Sequence, residues 1–166
     1  MQKKKELILI IHNVRSAHNV GSLFRTADGA GVAEIILTGY TAKPPKKDAL
    51  HLTAAEKAFQ KTALWAEGHI SWRKAGALGT ALTSLRKDGW EIIALEQHTR
   101  SVGYLTYKPK RLVALLVGNE VRGVDAKILK RCDRIIDIPM RGHKHSLNVS
   151  VAAGIALYHI TSTIEK

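Results

Sequence analysis

The run Leu7-Ile8-Leu9-Ile10-Ile11 is apolar at every position and rich in β-branched residues. Unbroken apolar runs of this kind mark strands buried on both faces, as in a parallel sheet. Behind it, Asn19-Val20-Gly21-Ser22-Leu23-Phe24-Arg25-Thr26-Ala27-Asp28 reads as a helix capped by Asn19 and ended near Gly29 and Gly31. Ala33-Glu34-Ile35-Ile36-Leu37 then repeats the buried-strand pattern. Strand, helix and strand within about 30 residues form the unit of an α/β protein with a mostly parallel sheet.

The rest of the chain continues the alternation. Thr38 to about Thr53 is a basic surface loop holding Lys43, Pro44, Pro45, Lys46 and Lys47. A short helix over Thr62 to Ala66 and a minor strand over Ile70 to Trp72 follow. In Lys74 to Asp88, Ala77, Leu78, Ala81, Leu82 and Leu85 recur at helical spacing, and Gly89 ends that helix. Strands are expected at Glu91 to Leu95, Leu112 to Val117 and Arg134 to Ile138. A short helix lies between the last two, from Asp125 to Arg131, and a long helix closes the chain from Leu147 to about Thr163. Neither a repeat nor a linker breaks the 166 residues, so a single domain over 1–166 is expected.

Composition narrows the function. Hydrophobic residues make up 45% and charged residues 24%, a globular balance. Lys plus Arg is 26 against 14 Asp plus Glu, a net charge of +12. That excess is spread along the chain, so an anion-binding patch has to be assembled by folding, and nucleic acid is the commonest polyanionic partner. The single cysteine, Cys132, excludes an internal disulfide or a CxxC site, and His143 with His145 makes no credible metal site. The basic start at Lys3-Lys4-Lys5 precedes an apolar run shorter than the roughly 7–15 residues of a signal peptide. No run approaches the roughly 18 residues of a membrane span, and a cytoplasmic protein without membrane contact is the expectation.

There is no GxGxxG behind the first strand, no phosphate-binding P-loop and no Gly-x-Ser-x-Gly elbow. Three clusters remain, each following a strand, where open α/β sheets hold their ligands. The first is Asn13 to Ala27. Its helix start offers free N–H groups to an anion, and Arg25, nearly two turns in, is expected to reach back toward Asn19. The second, Gly118-Asn119-Glu120-Val121-Arg122-Gly123, sets a carboxylate between two glycines. The third, Ile138-Pro139-Met140-Arg141-Gly142-His143-Lys144-His145-Ser146-Leu147-Asn148-Val149-Ser150-Val151-Ala152-Ala153-Gly154, is a Gly/Pro loop entering a helix. The small face Ser150, Ala153 and Gly154 permits close packing of another element. Taken singly, the clusters also read as a routine cap, a tight turn with a solvated Glu120, and a surface arginine.

In this order the three clusters resemble the motifs of the SpoU (TrmH) family of RNA ribose 2′-O-methyltransferases, of the SPOUT class. Asn19 to Ala27 is similar to motif one, Leu116 to Gly123 to motif two, and Ile138 to Ala153 to motif three. The resemblance runs from about Leu7 to Tyr158. It implies a parallel sheet flanked by helices whose C-terminal part threads a deep trefoil knot, a rare exception to the rule against threading. It also implies S-adenosylmethionine as methyl donor without a metal, and a homodimer with the active site near its interface.

Carried over by motif, the resemblance implies catalytic roles for Asn19, Arg25, Glu120, Ser146 and Asn148. It implies donor binding by Leu95, Glu96, Gly118, Ile138, Met140 and Leu147. The 2′-hydroxyl must lose its proton as it attacks the methyl group. The family proposal makes the arginine the base. An arginine keeps its proton up to a pKa above about 12, so a guanidinium that clamps phosphate and stabilises the alkoxide is the alternative. Ribosomal-RNA members often carry an added RNA-binding domain, and none is expected here. That favours tRNA over rRNA as substrate. Two rivals stay open: a knotted RNA-binding protein without activity, and a flavodoxin-type domain binding a small molecule.

Overall fold

A computed structural model describes residues 6–164. The basic start at Lys3 to Lys5 lies outside the described residues. Seven strands form one sheet: β1 (Glu6–His12), β2 (Glu34–Thr38), β3 (Ser71–Lys74), β4 (Glu91–Leu95), β5 (Val102–Gly103), β6 (Leu112–Val117) and β7 (Arg134–Asp137). Their order is β3-β2-β1-β6-β4-β7-β5, and every pair is parallel. The expected α/β class with a mostly parallel sheet is what the chain adopts.

Alternation along the strands explains the layers. Successive side chains point to opposite faces. Leu7, Leu9 and Ile11 of β1, with Leu115 and Val117 of β6, pack against α1 (Ala17–Gly29), α2 (Ala54–Ala63) and α5 (Val149–Ile164). Ile8 and Ile10, with Ala114 and Leu116, face the other way onto α3 (Leu78–Lys87) and α4 (Ala126–Leu129). Both faces of the central strands are therefore dry, as a continuous apolar run requires. Phe24 and Phe59 meet edge to face at 5.2 Å and lock α1 to α2.

Several boundaries differ from the sequence reading. Ser16, not Asn19, caps α1, and its hydroxyl accepts the Asn19 N–H at 3.2 Å. Asn19 is thereby left with its amide available for other partners. The helix expected at 62–66 is instead α2, ten residues long and opened by a capping box. Thr53 Oγ1 accepts the Glu56 N–H while Glu56 Oε2 accepts the Thr53 N–H. Leu64 and Trp65, both with positive φ, end it. The third helix starts at Leu78 rather than near Lys74, whose ammonium donates to the Thr41 carbonyl at 2.7 Å. Strand β5 and the 3₁₀ turn Tyr104–Thr106 were not expected. They are tied back through Tyr107, whose hydroxyl donates to buried Glu91 at 2.8 Å.

The small face of α5 is used inside the chain. Ala153 is fully buried, and a Cβ on Gly154 would lie 3.3 Å from Thr26 of α1. The element it admits is α1. The side of α5 left exposed carries Val151 and Tyr158 instead.

Candidate active site

Strands β4, β6 and β7 lie side by side and end at Leu95, Val117 and Asp137. The loops leaving these ends enclose a cavity of about 190 Å³. Leu95, Glu96, Gly118, Ile138, Met140 and Leu147 all line it, with Glu120 and Ser146 beside them. All six residues assigned to donor binding thus come together, although they lie in four separate segments of sequence. The walls are mostly apolar (Leu95, Val117, Ile138, Met140, Leu147), and the Glu96 carboxylate and Gln97 add a polar edge. The cavity is smaller than the roughly 300–1,000 Å³ of most small-molecule sites, but its outer wall includes Ser146 and Leu147 of the exposed segment 141–148.

Each wall has a local cause. The turn after β6 closes on itself: Asn119 and Gly123 exchange backbone hydrogen bonds at 3.2 and 2.9 Å. A Cβ on Gly118 would lie 2.7 Å from the Gly123 backbone, so only glycine allows the turn to close. Glu96 binds the far side of that turn, accepting the Val124 N–H at 2.8 Å on Oε2 and the Gln97 N–H at 2.9 Å on Oε1. Asn148 opens α5, its Oδ1 accepting the Ser150 N–H at 2.8 Å.

Glu120 joins the second cluster to the first. Its Oε2 accepts the Arg15 N–H at 3.0 Å, and its Oε1 accepts the Ser16 N–H at 2.9 Å and Asn19 Nδ2 at 3.0 Å. Burial pushes the Glu120 pKa up, but the hydrogen bonds from Arg15, Ser16, its own backbone and Asn19 outweigh it and leave it below the ordinary value. Asn19 Oδ1 in turn accepts Asn148 Nδ2 at 3.1 Å. Glu120, Asn19 and Asn148 therefore form one hydrogen-bonded line through all three clusters, although Asn19 and Asn148 do not themselves line the cavity.

Arg25 is not brought to this line. Six residues along a helix advance about 9 Å and turn about 240°, so it emerges on another face of α1. It is exposed and outside the cavity lining, and its guanidinium makes no hydrogen bond or ion pair to any other described residue. The expected reach back toward Asn19 does not occur. Sequence reasoning also missed Asn119 as a buried hub, which only its place between two glycines after a strand had signalled. Among the described residues no three His, Cys, Asp or Glu side chains group as a metal site, and no helix is long and apolar enough to cross a membrane.

Comparison with known proteins agrees with this geometry. The chain belongs to the SpoU rRNA Methylase family, whose model matches residues 6–158. A Staphylococcus saprophyticus protein assigned to the TrmH family of tRNA/rRNA methyltransferases is 31% identical over 159 residues, 96% of this chain and 59% of its own. The chain thus spans about three fifths of the length of the curated relatives it matches. The crystal structure of an AdoMet-bound rRNA methyltransferase from Sinorhizobium meliloti superposes with a TM-score of 0.82 at 26% identity, over 95% of this chain and 56% of that one. That of the A. aeolicus TrmH/SpoU tRNA modifying enzyme gives 0.82 at 29% identity, over 99% and 78%.

Proposed function

We propose that this chain transfers a methyl group from S-adenosylmethionine to a ribose 2′-hydroxyl of RNA. The observation that carries the reading is the convergence of Leu95, Glu96, Gly118, Ile138, Met140 and Leu147 on one cavity at three adjacent strand ends. Apolar walls with a polar edge suit an adenosine bearing a thioether or sulfonium chain, and the AdoMet-bound S. meliloti relative supports that donor. The cavity admits the whole donor when Ser146 and Leu147, on the exposed segment 141–148, move outward. The C-terminal loops around it are where the proposed trefoil knot lies.

When bound, the donor supplies a sulfonium leaving group that needs no general acid. The work left to the protein is positioning and charge. Glu120, held ionised by its N–H donors, fixes Asn19, and Asn19 fixes Asn148 at the start of α5. Ser146, on the cavity rim, contacts the nucleotide. Arg25, exposed on another face of α1, serves the cavity of the partner copy in the homodimer, where it clamps a phosphate and stabilises the forming alkoxide; the hydroxyl proton passes to solvent water, since a guanidinium holds its own proton too firmly to act as a base. In-line alignment of hydroxyl and methyl supplies much of the remaining rate.

The substrate is tRNA in preference to rRNA. The A. aeolicus tRNA-modifying relative, 29% identical over 99% of this chain, supports that choice. The net charge of +12 suits either RNA. Residues 1–166 act as one catalytic unit in the cytoplasm. It works as a homodimer through the exposed side of α5, where Val151 and Tyr158 are 52% and 53% exposed.

The test incubates the protein with radiolabelled donor and total RNA, then digests the RNA and maps labelled nucleosides by mass spectrometry. Labelled 2′-O-methylnucleosides from the tRNA fraction are expected. Label on a base, or none in any RNA fraction, overturns the reading.

A further inference from the structure

Beside the donor cavity, across the turn 119–121, lies a second cleft lined by Arg15, Tyr40, Asn119, Val121 and Arg122. Asn119 and Val121 border both spaces. Arg15 and Arg122 are exposed, and neither guanidinium makes a hydrogen bond or ion pair to another described residue. Tyr40 is 59% exposed. Two free cations and an open aromatic face therefore share one concave surface next to the site of chemistry.

What distinguishes Tyr40 from a chance surface tyrosine is how firmly it is held. Asn119, only 8% exposed, donates from Nδ2 to the Tyr40 hydroxyl at 3.0 Å and to the Asn13 carbonyl at 3.0 Å. Its Oδ1 accepts the Val121 and Arg122 N–H groups at 2.9 and 2.8 Å. One buried amide thus holds Tyr40 from one side and the Arg122 backbone from the other.

The Tyr40 backbone is fixed as well. Its N–H donates to Asn13 Oδ1 at 3.1 Å. Asn13 Nδ2 donates to His12 Nε2 at 3.0 Å, which leaves the proton on His12 Nδ1, facing Thr38 Oγ1 at 2.8 Å. Asn13 adopts φ +56, a left-handed conformation that asparagine tolerates and most residues avoid. Gly39 adopts φ +63, and a Cβ there would lie 1.8 Å from Asn13 Oδ1. Two left-handed residues and a chain of side-chain hydrogen bonds serve to present one exposed ring. Backbone strain of this kind gathers at ligand-binding positions.

We propose that this cleft binds an unpaired nucleotide of the RNA substrate, with its base stacked on Tyr40 and its flanking phosphates held by Arg15 and Arg122. Unpaired bases offer a free π-face, and aromatic and arginine side chains are the groups that take them. Duplex RNA keeps its bases stacked within the helix and cannot use the ring. The proposal rests on the methyltransferase reading only for RNA as the ligand, and it makes unpaired segments of RNA the preferred target.

The test uses fluorescence anisotropy of the full chain with a labelled single-stranded ribo-oligonucleotide and with its duplex, alongside calorimetry with S-adenosylhomocysteine. Tyr40→Ala should weaken single-strand binding about tenfold, with Tyr40→Phe, which keeps the ring but loses the Asn119 hydrogen bond, falling between Ala and wild type, and the duplex little affected. Arg15→Gln with Arg122→Gln should weaken it further, and more than Lys57→Gln with Lys61→Gln, which removes the same charge from α2. S-adenosylhomocysteine binding should persist in every variant and so reports that the fold is intact. Equal losses from the two double variants, or no effect of Tyr40→Ala, overturn the cleft. Displacement of the RNA by poly-glutamate at equal charge would mean a general anion surface and overturns it too. Failure of the wild-type protein to bind S-adenosylhomocysteine would count against the methyltransferase reading, and circular dichroism of each variant would then report the fold and keep the RNA result readable.

Discussion

Asn148 Nδ2 donates to Asn19 Oδ1 at 3.1 Å, across 129 positions of sequence. The same Asn19 amide donates to Glu120 Oε1, so both ends of the asparagine are engaged and its orientation is fixed. The start of α1, the turn after β6 and the start of α5 are thereby coupled through one side chain.

Glu120→Gln should loosen that coupling. A carboxylate accepts all three donors from Arg15, Ser16 and Asn19, whereas an amide turns one acceptor into a donor facing an N–H. The expected loss is about 1–2 kcal/mol, reduced by partial exposure, in urea unfolding. The folded pKa of Glu120 lies below its ordinary value of 4.5. Its contribution is therefore present above pH 4.5 and lost as pH falls through the folded value. The stability gap between wild type and variant should be constant near neutrality and close in acid. A gap that widened in acid would contradict the assignment.

Much of this arrangement was legible in the sequence. Runs such as Leu7 to Ile11 and Leu112 to Val117 can only be buried strands, and the motif order identified the cavity walls. Local rules failed where two polar residues competed for one role. Ser16 and Asn19 are both good caps, and the choice was made by Glu120, which draws the Arg15 and Ser16 N–H groups from a turn over 100 positions away. Helix α2 carries one large apolar side chain, Phe59, among alanines, so periodicity does not mark it, although Thr53 and Glu56 stand at capping-box spacing. Arg25 emerges away from Asn19 because six residues leave the helix about 240° round, a third of a turn short of the same face.

Donor binding should be visible in the outer wall of the cavity. Arg141 and Lys144 lie in the exposed segment 141–148, beside the lining residues Met140, Ser146 and Leu147. S-adenosylhomocysteine should bind in calorimetry without added metal and slow tryptic cleavage at Arg141 and Lys144. Unchanged cleavage at saturating ligand would place the donor elsewhere.

The dimer proposal puts Val151 and Tyr158 at the contact between copies. Exposed apolar side chains seven positions apart form a seam along α5, while Ala153, about half a turn round the helix, is fully buried. Light scattering should give near twice the chain mass of 18.2 kDa. Val151→Glu with Tyr158→Glu should give a monomer with unchanged secondary structure by circular dichroism. A wild-type monomer at high concentration defeats the proposal.

RNA affinity should fall steeply with salt, because a net charge of +12 acts on phosphates through released counterions. Lys43, Lys46 and Lys47 are exposed on the loop that follows Tyr40. Reversing all three should weaken binding and lower the log–log salt slope. A slope unchanged by the triple reversal would take that loop off the RNA path.

Arg25 offers the sharpest test of mechanism. It stands exposed on α1 with no partner among the described residues, so its replacement disturbs no internal contact. The residues lining the donor cavity lie on other elements, so donor affinity should stay at the wild-type level. Arg25→Lys keeps the charge but loses the planar fork that grips phosphate at two points. If the guanidinium clamps phosphate and stabilises the alkoxide, single-turnover methyl transfer should slow by about 2–4 kcal/mol in barrier, as when an oxyanion donor is removed. Arg25→Ala should be at least as slow, with an unchanged melting temperature. If Arg25 were instead the base, the wild-type rate would rise tenfold per pH unit up to strongly alkaline pH, and Arg25→Lys would alter that profile. A clamp leaves the shape of the profile the same in both proteins and lowers only its height. Near-normal transfer by Arg25→Ala would remove the residue from the reaction in either role.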